Sequence, residues 1–208
     1  MLGLVNQDSI YLVSKLGSIQ LKPVDKEELI ESKKWVSAIS ISRKFMLRPA
    51  GFAQELVSLP FPVFPSEQLE SQDDKPLPYV TDFTLKNRFK PAFLDIRHIS
   101  GYLNEISLDA QCTDRTCTFI AILANTAVVI VKRLEDFLYF NIFEFEESPE
   151  LLYYIAAVFE QLNLDRENAR LVMMGEIREG SQLYNQFKIY FRNLHVDESN
   201  FFSRFSSN

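Results

Sequence analysis

Two consecutive stretches, Phe119–Leu123 (FIAIL) and Ala127–Val131 (AVVIV), contain no polar residue at any position. A strand with one wet face alternates apolar and polar side chains. These two do not alternate, so both of their faces must be covered. That requirement excludes an open antiparallel sheet with a solvated side. It points to an α/β architecture in which a sheet is sandwiched between other layers.

The residues around the two strands extend the pattern. Asn125-Thr126 and Leu134-Glu135-Asp136 are the turns, and Phe137–Phe145 (FLYFNIFEF) is a third strand interrupted at Asn141 and Glu144. Ser148 followed by Pro149 is a helix start, because proline at the first helical position loses no hydrogen bond. The helix Pro149–Leu164 places Leu152, Ile155, Ala156, Phe159 and Leu162 on one face, wide enough to cover a sheet. Arg170–Gly175 (RLVMMG) reads as a buried strand. Ser181 starts a last helix, Gln182–Leu194, with Leu183, Phe187, Tyr190, Phe191 and Leu194 inward. The tail, Asn200–Asn208, carries three Phe and is an edge-strand candidate.

The first half is less regular. Leu2–Val5, Ile10–Val13 and Ser18–Leu21 read as a meander of three short strands. A short polar helix follows, with Asp25 as N-cap, and ends near Lys34. Trp35–Ile41 (WVSAISI) alternates as a strand does, and Lys44–Arg48 either continues it past a kink or begins a hairpin arm. Prolines punctuate residues 49–78, where Ala53–Leu59 and Ser66–Ser71 are short helical turns and 71–76 an exposed loop. Tyr79–Leu85 and Ala92–Ile96 read as strands, and Ser100 caps a helix over Gly101–Leu108.

The second half is thus β-β-β-α-β-α and the first is a less complete β-β-β-α-β. This order resembles the paired ribonuclease-H-like lobes of actin, hexokinase and the heat-shock chaperone ATPases. The expected lobes are residues 1–110, reduced, and 111–208, with the polar run Asp109–Thr116 as boundary. No residue-level repeat relates the halves.

Particular residues carry a closer resemblance. Leu138-Tyr139-Phe140-Asn141, Tyr153-Tyr154, Val158-Phe159-Glu160-Gln161-Leu162-Asn163, Gly175-Glu176-Ile177 and Leu183-Tyr184 are similar to the run of motifs in an uncharacterised domain-of-unknown-function family from Bacteroidetes. Lys44–Pro49 (KFMLRP) resembles a strand motif of that family's first half. The resemblance implies an actin-like ATPase-type fold. It implies no activity and no catalytic residues.

Actin-like ATPases bind Mg-nucleotide through a short Asp-x-Gly loop between the first two strands of each lobe. The acid sits near the metal, and the glycine lets backbone N–H groups reach phosphate. Here those loops are Val5-Asn6-Gln7-Asp8-Ser9 and Leu123-Ala124-Asn125-Thr126-Ala127. Neither has a glycine and the second has no acid. The turn expected against adenosine, Met174-Gly175-Glu176, offers one glycine where two are usual, and a strand-end turn explains it. Asn125, Thr126 and Gly175 are the nucleotide-site candidates, with ATP hydrolysis argued against.

Other chemistries fare no better. A ribonuclease-H nuclease needs carboxylates around two metals, and Phe119–Val131 has none. Glu144, Glu146 and Glu147 read as a solvated edge, and Asp82 and Asp95 as surface positions of strands. His98, at a helix start, and His195, just past a helix end that favours a cation, read as structural or surface residues. No catalytic residue, cofactor or metal is expected.

The Pro-rich loop 59–65 holds Phe61, Val63 and Phe64 between prolines. It either packs on the first lobe or docks a partner, so these three are the partner-binding candidates. A net charge of −6 gives no electrostatic reason to expect nucleic acid. No run reaches the ~20 apolar residues of a membrane span, and the start of the chain lacks the pattern of a signal peptide. A cytoplasmic location follows as the expectation, with Cys112 and Cys117 as reduced thiols and a hairpin disulfide between them as the alternative. The leading reading is a non-catalytic scaffold or binding protein with a protein partner. A divergent nucleotide-binding protein is the alternative, and an accessory subunit of a nucleic-acid enzyme is a third reading that the acidic charge disfavours.

Overall fold

The computed structural model describes residues 2–6, 10–13, 22–23, 37–41, 45–47, 69–72, 79–82, 95–101, 103, 116–134 and 136–198. The chain divides into two compact units, Met1–Tyr102 and Leu103–Asn208.

In the first unit the strands are β1 (Leu2–Asn6), β2 (Ile10–Val13), β3 (Lys22–Pro23), β4 (Ser37–Ile41), β5 (Phe45–Leu47), β6 (Leu69–Gln72), β7 (Tyr79–Asp82) and β8 (Asp95–His98). Five of them form a sheet in the order β3-β2-β1-β4-β8. The hairpins β1–β2 and β2–β3 are antiparallel, and β4 lies parallel to both β1 and β8. The remaining three make a separate antiparallel sheet, β5-β7-β6. Ile39 and Ile41 of β4 are buried, as are His98, Ile99 and Ser100.

The second unit holds β9 (Thr116–Leu123), β10 (Thr126–Arg133), β11 (Asp136–Glu144), helix α1 (Ser148–Gln161), β12 (Arg170–Gly175), helix α2 (Gln182–Tyr190) and β13 (Leu194–Asp197). Its sheet is mixed, in the order β11-β10-β9-β12-β13. The meander β9–β10–β11 is antiparallel, and β12 joins β9 in parallel, followed by β13. Counted from its own first strand, each five-stranded sheet therefore has the order 3-2-1-4-5.

Complete burial of β9 and β10 follows from their sequence. From Cys117 to Leu123, and again from Thr126 to Lys132, every residue is buried. Ile120, Ile122, Ala127 and Val129 point to the helical side, where Leu151, Ile155 and Phe159 of α1 and Phe187 of α2 meet them. Leu171, Met173 and Leu194 complete that core from β12 and β13. The alternate residues, among them Phe119, Val128, Ile130 and Met174, are equally buried on the other face. Phe159 and Phe191 lock the two helical segments edge to face, with ring centroids 4.8 Å apart.

Local chemistry sets the helix ends. The Oγ of Ser181 accepts the Tyr184 N–H at 3.2 Å, the expected N-cap. The N-cap of α1 is Glu147 rather than Ser148. Ser148 is already helical, and Glu150 reaches back to accept the Glu146 N–H at 3.0 Å. At the other end, Leu164 N–H bonds to Phe159 O at 2.8 Å and Asn163 N–H to Glu160 O at 3.1 Å. Asn163 takes φ 52°, the left-handed C′ residue of a Schellman motif. That motif stops α1 at Gln161, short of the expected Leu164.

Further expectations need correction. The last helix ends at Tyr190, and Leu194–Asp197 instead pairs with β12 as an edge strand. Tyr190, expected inward, is exposed. Residues 69–72, expected as the end of a helical turn and the start of a loop, form a strand, because their backbone pairs with β7. Lys22–Pro23 pairs with β2 as a short strand, and the expected strand Ser18–Leu21 lies outside the described residues. Ser100 lies within a helical stretch that begins at Ile99, so it is not the cap. Cys117 is disulfide-bonded, against the expectation of reduced thiols. That expectation came from compartment reasoning, which says nothing of whether a sulfur is within bonding reach. The helix after Pro23, the turns over 53–59, the loop at 73–76, the boundary run before Thr116 and the tail from 200 lie outside the described residues.

Phe159→Ala should lower unfolding free energy by about 3–5 kcal/mol, since it empties a fully packed site. Ser181→Ala should cost about 1 kcal/mol. Urea unfolding followed by circular dichroism measures both.

Candidate functional site

In a sheet with parallel strands, ligands are held beyond the carboxyl ends of those strands. In the second unit that end is built from the β9–β10 turn, the end of β12 and the starts of both helices. Gly175 pairs with Ile122, and Thr126 pairs with Leu123 and Glu144, which fixes these segments against one another.

The structure brings Asn125, Thr126 and Gly175 to this one end. Asn125 is exposed, and its carbonyl accepts the Phe145 N–H at 2.9 Å. Thr126 is buried as the first residue of β10. Gly175 has φ +89°, and a Cβ there would lie 2.3 Å from the Ile122 carbonyl oxygen. Only glycine allows that approach, and it lets the Glu176 N–H reach the same oxygen at 2.9 Å.

Two residues not singled out as site candidates complete the arrangement. Ala124 holds φ 53° in the turn, and its N–H faces the Glu176 carboxylate closely enough to act on its titration. Partial burial raises the pKa of that carboxyl, and the Ala124 N–H opposes the rise.

The helix starts are also satisfied internally. Glu150 accepts the Tyr154 hydroxyl at 2.6 Å and the Glu146 N–H, and both bonds lower its pKa. It therefore stays ionised in the first turn of α1, where the helix dipole favours an anion. Ser181 serves α2. At this end, then, the turn N–H and the first turn of α1 meet carboxylates, and the start of α2 meets a hydroxyl. A phosphate would have to displace them against like charge.

No group of three His, Cys, Asp or Glu is placed to hold a metal among the described residues. His98 is buried in the first unit, with Nδ1 2.9 Å from Ser100 Oγ and accepting the Ser100 N–H at 3.3 Å. His195 stands on β13 rather than at a helix end, with Nε2 2.9 Å from Asn193 Oδ1. Desolvation, then the Arg170 and Lys188 cations, lower its pKa, with Glu179 opposing, so a cation is disfavoured there. Phe61, Val63, Phe64 and residues 7–9 of the first-half loop lie outside the described residues.

Gly175→Ala should destabilise by more than the ~1–2 kcal/mol of a left-handed alanine, because its Cβ also meets backbone. Glu176 has a raised folded pKa, so its contribution to stability is full below the ordinary carboxylate value of 4.5 and is lost as pH rises through the raised value. Glu176→Gln should flatten that loss, seen as urea midpoints against pH. Parallel profiles for the two proteins would contradict the assignment.

Similarity to known proteins fits this geometry. A Bacteroides thetaiotaomicron protein with an actin-like ATPase fold and unknown function aligns over 100% of this chain and 95% of its own, at TM-score 0.74 and 15% identity. The PilM-PilN type IV pilus biogenesis complex aligns over 94% of this chain and 87% of that one, at TM-score 0.57 and 11% identity. At such identities the likeness concerns the fold alone. No match was found among curated proteins. Residues 80–194, more than half of the chain, match the model of the family described as protein of unknown function (DUF3822), and the chain belongs to that family.

Proposed function

We propose that this chain is a non-catalytic binding or scaffold protein that keeps an actin-like architecture without its nucleotide machinery. The proposal takes residues 1–110 and 111–208 as two ribonuclease-H-like lobes, the first reduced. It places the protein in the cytoplasm of a bacterium, working through a protein partner and without nucleic acid.

One observation carries the reading. In this reading the β9–β10 turn stands for a phosphate loop, and its Ala124 N–H faces the chain's own Glu176 carboxylate, on whose titration it acts. The same turn, Ala124-Asn125, has neither the acid that would sit near a metal nor the glycine that would admit phosphate. The repeated 3-2-1-4-5 strand order supports the two-lobe reading. The partner reading draws on PilM-PilN, a complex of a similarly folded protein, and on Phe61, Val63 and Phe64 as candidates for the contact. Among the described residues no helix is long and apolar enough to cross a membrane.

Thermal-shift measurements with Mg-ATP and Mg-ADP test the proposal. A ligand at a hundred times its Kd stabilises by about 2.7 kcal/mol, enough to move a melting midpoint by several degrees. The expected result is no shift at millimolar nucleotide. A clear rise would favour the divergent nucleotide-binding alternative. Co-purification from native lysate with mass spectrometry should return one stoichiometric protein partner, lost or weakened when Phe61 and Phe64 are both changed to Ser.

A further inference from the structure

The second sheet ends at β11, and among the described residues no strand pairs with its outer side. Along an antiparallel strand the main-chain groups point alternately to the neighbour and away from it. Phe145 N–H bonds inward to the Asn125 carbonyl at 2.9 Å, so the main chain of Phe143 and Asn141 also faces β10, and that of Ile142 faces outward. This outward N–H is taken by a side chain of the same strand. Asn141 Oδ1 accepts it at 2.8 Å, and Asn141 Nδ2 donates to the Tyr139 hydroxyl at 3.1 Å. Asn141 is exposed, and its amide oxygen does at Ile142 what the carbonyl of an adjacent strand would do.

The residues along this edge specify what fits it. Tyr139 and Phe143 are half-buried on the helical face of β11, and Phe143 stacks on Tyr154 of α1 with ring centroids 5.0 Å apart. A strand laid alongside would cover them with its own apolar side chains. Exposed acids stand at both ends: Asp136 opens β11, and Glu146 and Glu147 follow it. From Leu134 to Asp165 the sequence has eight acids and neither lysine nor arginine, while the whole chain carries only −6. A second copy of β11 would set acid against acid, whereas basic residues at both ends of an added strand are complementary. We propose that the outer edge of β11 accepts an extended partner segment with an apolar centre and Lys or Arg at its ends, and that Asn141 is the latch on that edge. The proposal rests on the protein-partner reading above and names its surface. On docking, the Asn141 amide swings away and a partner carbonyl takes the Ile142 N–H, so one hydrogen bond replaces another. Main-chain bonds give the added strand its affinity, and its side chains give selectivity.

The probe is a fluorescein-labelled peptide that alternates valine and threonine between lysine ends, titrated against the purified full chain by anisotropy. The same peptide with glutamate ends is the control. The lysine-ended peptide should bind saturably, and the glutamate-ended one about tenfold more weakly. Asn141→Ala should bind the lysine-ended peptide about fivefold tighter, because the latch no longer competes for the Ile142 N–H. Asp136→Asn combined with Glu147→Gln should bind it about threefold more weakly. All three side chains are exposed, and that of Glu147 makes no helix-capping bond, so the variants keep the core. Sedimentation velocity of Asn141→Ala without peptide should match wild type. The nucleotide thermal shift and partner co-purification are read separately, so a failed edge and a failed scaffold reading are told apart. Absence of saturable binding, equal binding of the two peptides, an Asn141→Ala affinity no higher than wild type, or self-association of Asn141→Ala, which would make a second copy the occupant, would overturn the proposal.

Discussion

Burial of β9 and β10 on both faces is the constraint on which the second unit depends. A strand without a wet face needs neighbours on both edges and a layer against each side. The meander supplies one neighbour, and the parallel strand β12 supplies the other. Bringing β12 in parallel requires a crossover, so α1 must lie between β11 and β12 in sequence and against the sheet in space. The same logic places α2 before β13. The parallel strands then point their carboxyl ends, and the starts of both helices, to one end of the sheet. The fold creates an end of the kind at which sheets with parallel strands hold ligands, before any side chain there is chosen.

What fills that place differs from what the architecture permits. A phosphate site needs unpaired N–H groups and a neutral or cationic surround. Here Ala124 N–H meets Glu176, the first turn of α1 holds Glu150, and α2 is capped by Ser181. Gly175 is kept for packing, because its missing Cβ lets β12 close onto Ile122. Among the described residues, the first turn of α1 and the start of α2 are met by the chain's own side chains.

Much of this was legible in the sequence where a residue acts through its own local chemistry. Unbroken apolar runs marked β9 and β10, β12 emerged with its bounds intact, and Ser181 announced a cap. The misses were cases in which a distant partner decides. Leu194–Asp197 has only four residues, and it becomes a strand because β12 offers a free edge. Residues 69–72 are polar, and only pairing with β7 makes them extended. Ser148 looked like a cap until Glu150 bound Glu146, one residue ahead of the actual cap. The Glu176–Ala124 contact joins residues fifty-two positions apart, and no periodicity can reveal that. The disulfide at Cys117 was ranked behind reduced thiols, since compartment reasoning does not measure where sulfurs lie.

The Ala124 amide resonance tests the central claim most directly. Followed by nuclear magnetic resonance, it should shift with pH as Glu176 titrates above the ordinary carboxylate value of 4.5. At fixed pH it should not move when Mg-ATP is added to millimolar concentration. An Ala124 amide that ignores the Glu176 titration, or that shifts on adding Mg-ATP, would contradict a phosphate seat filled by the protein's own carboxylate.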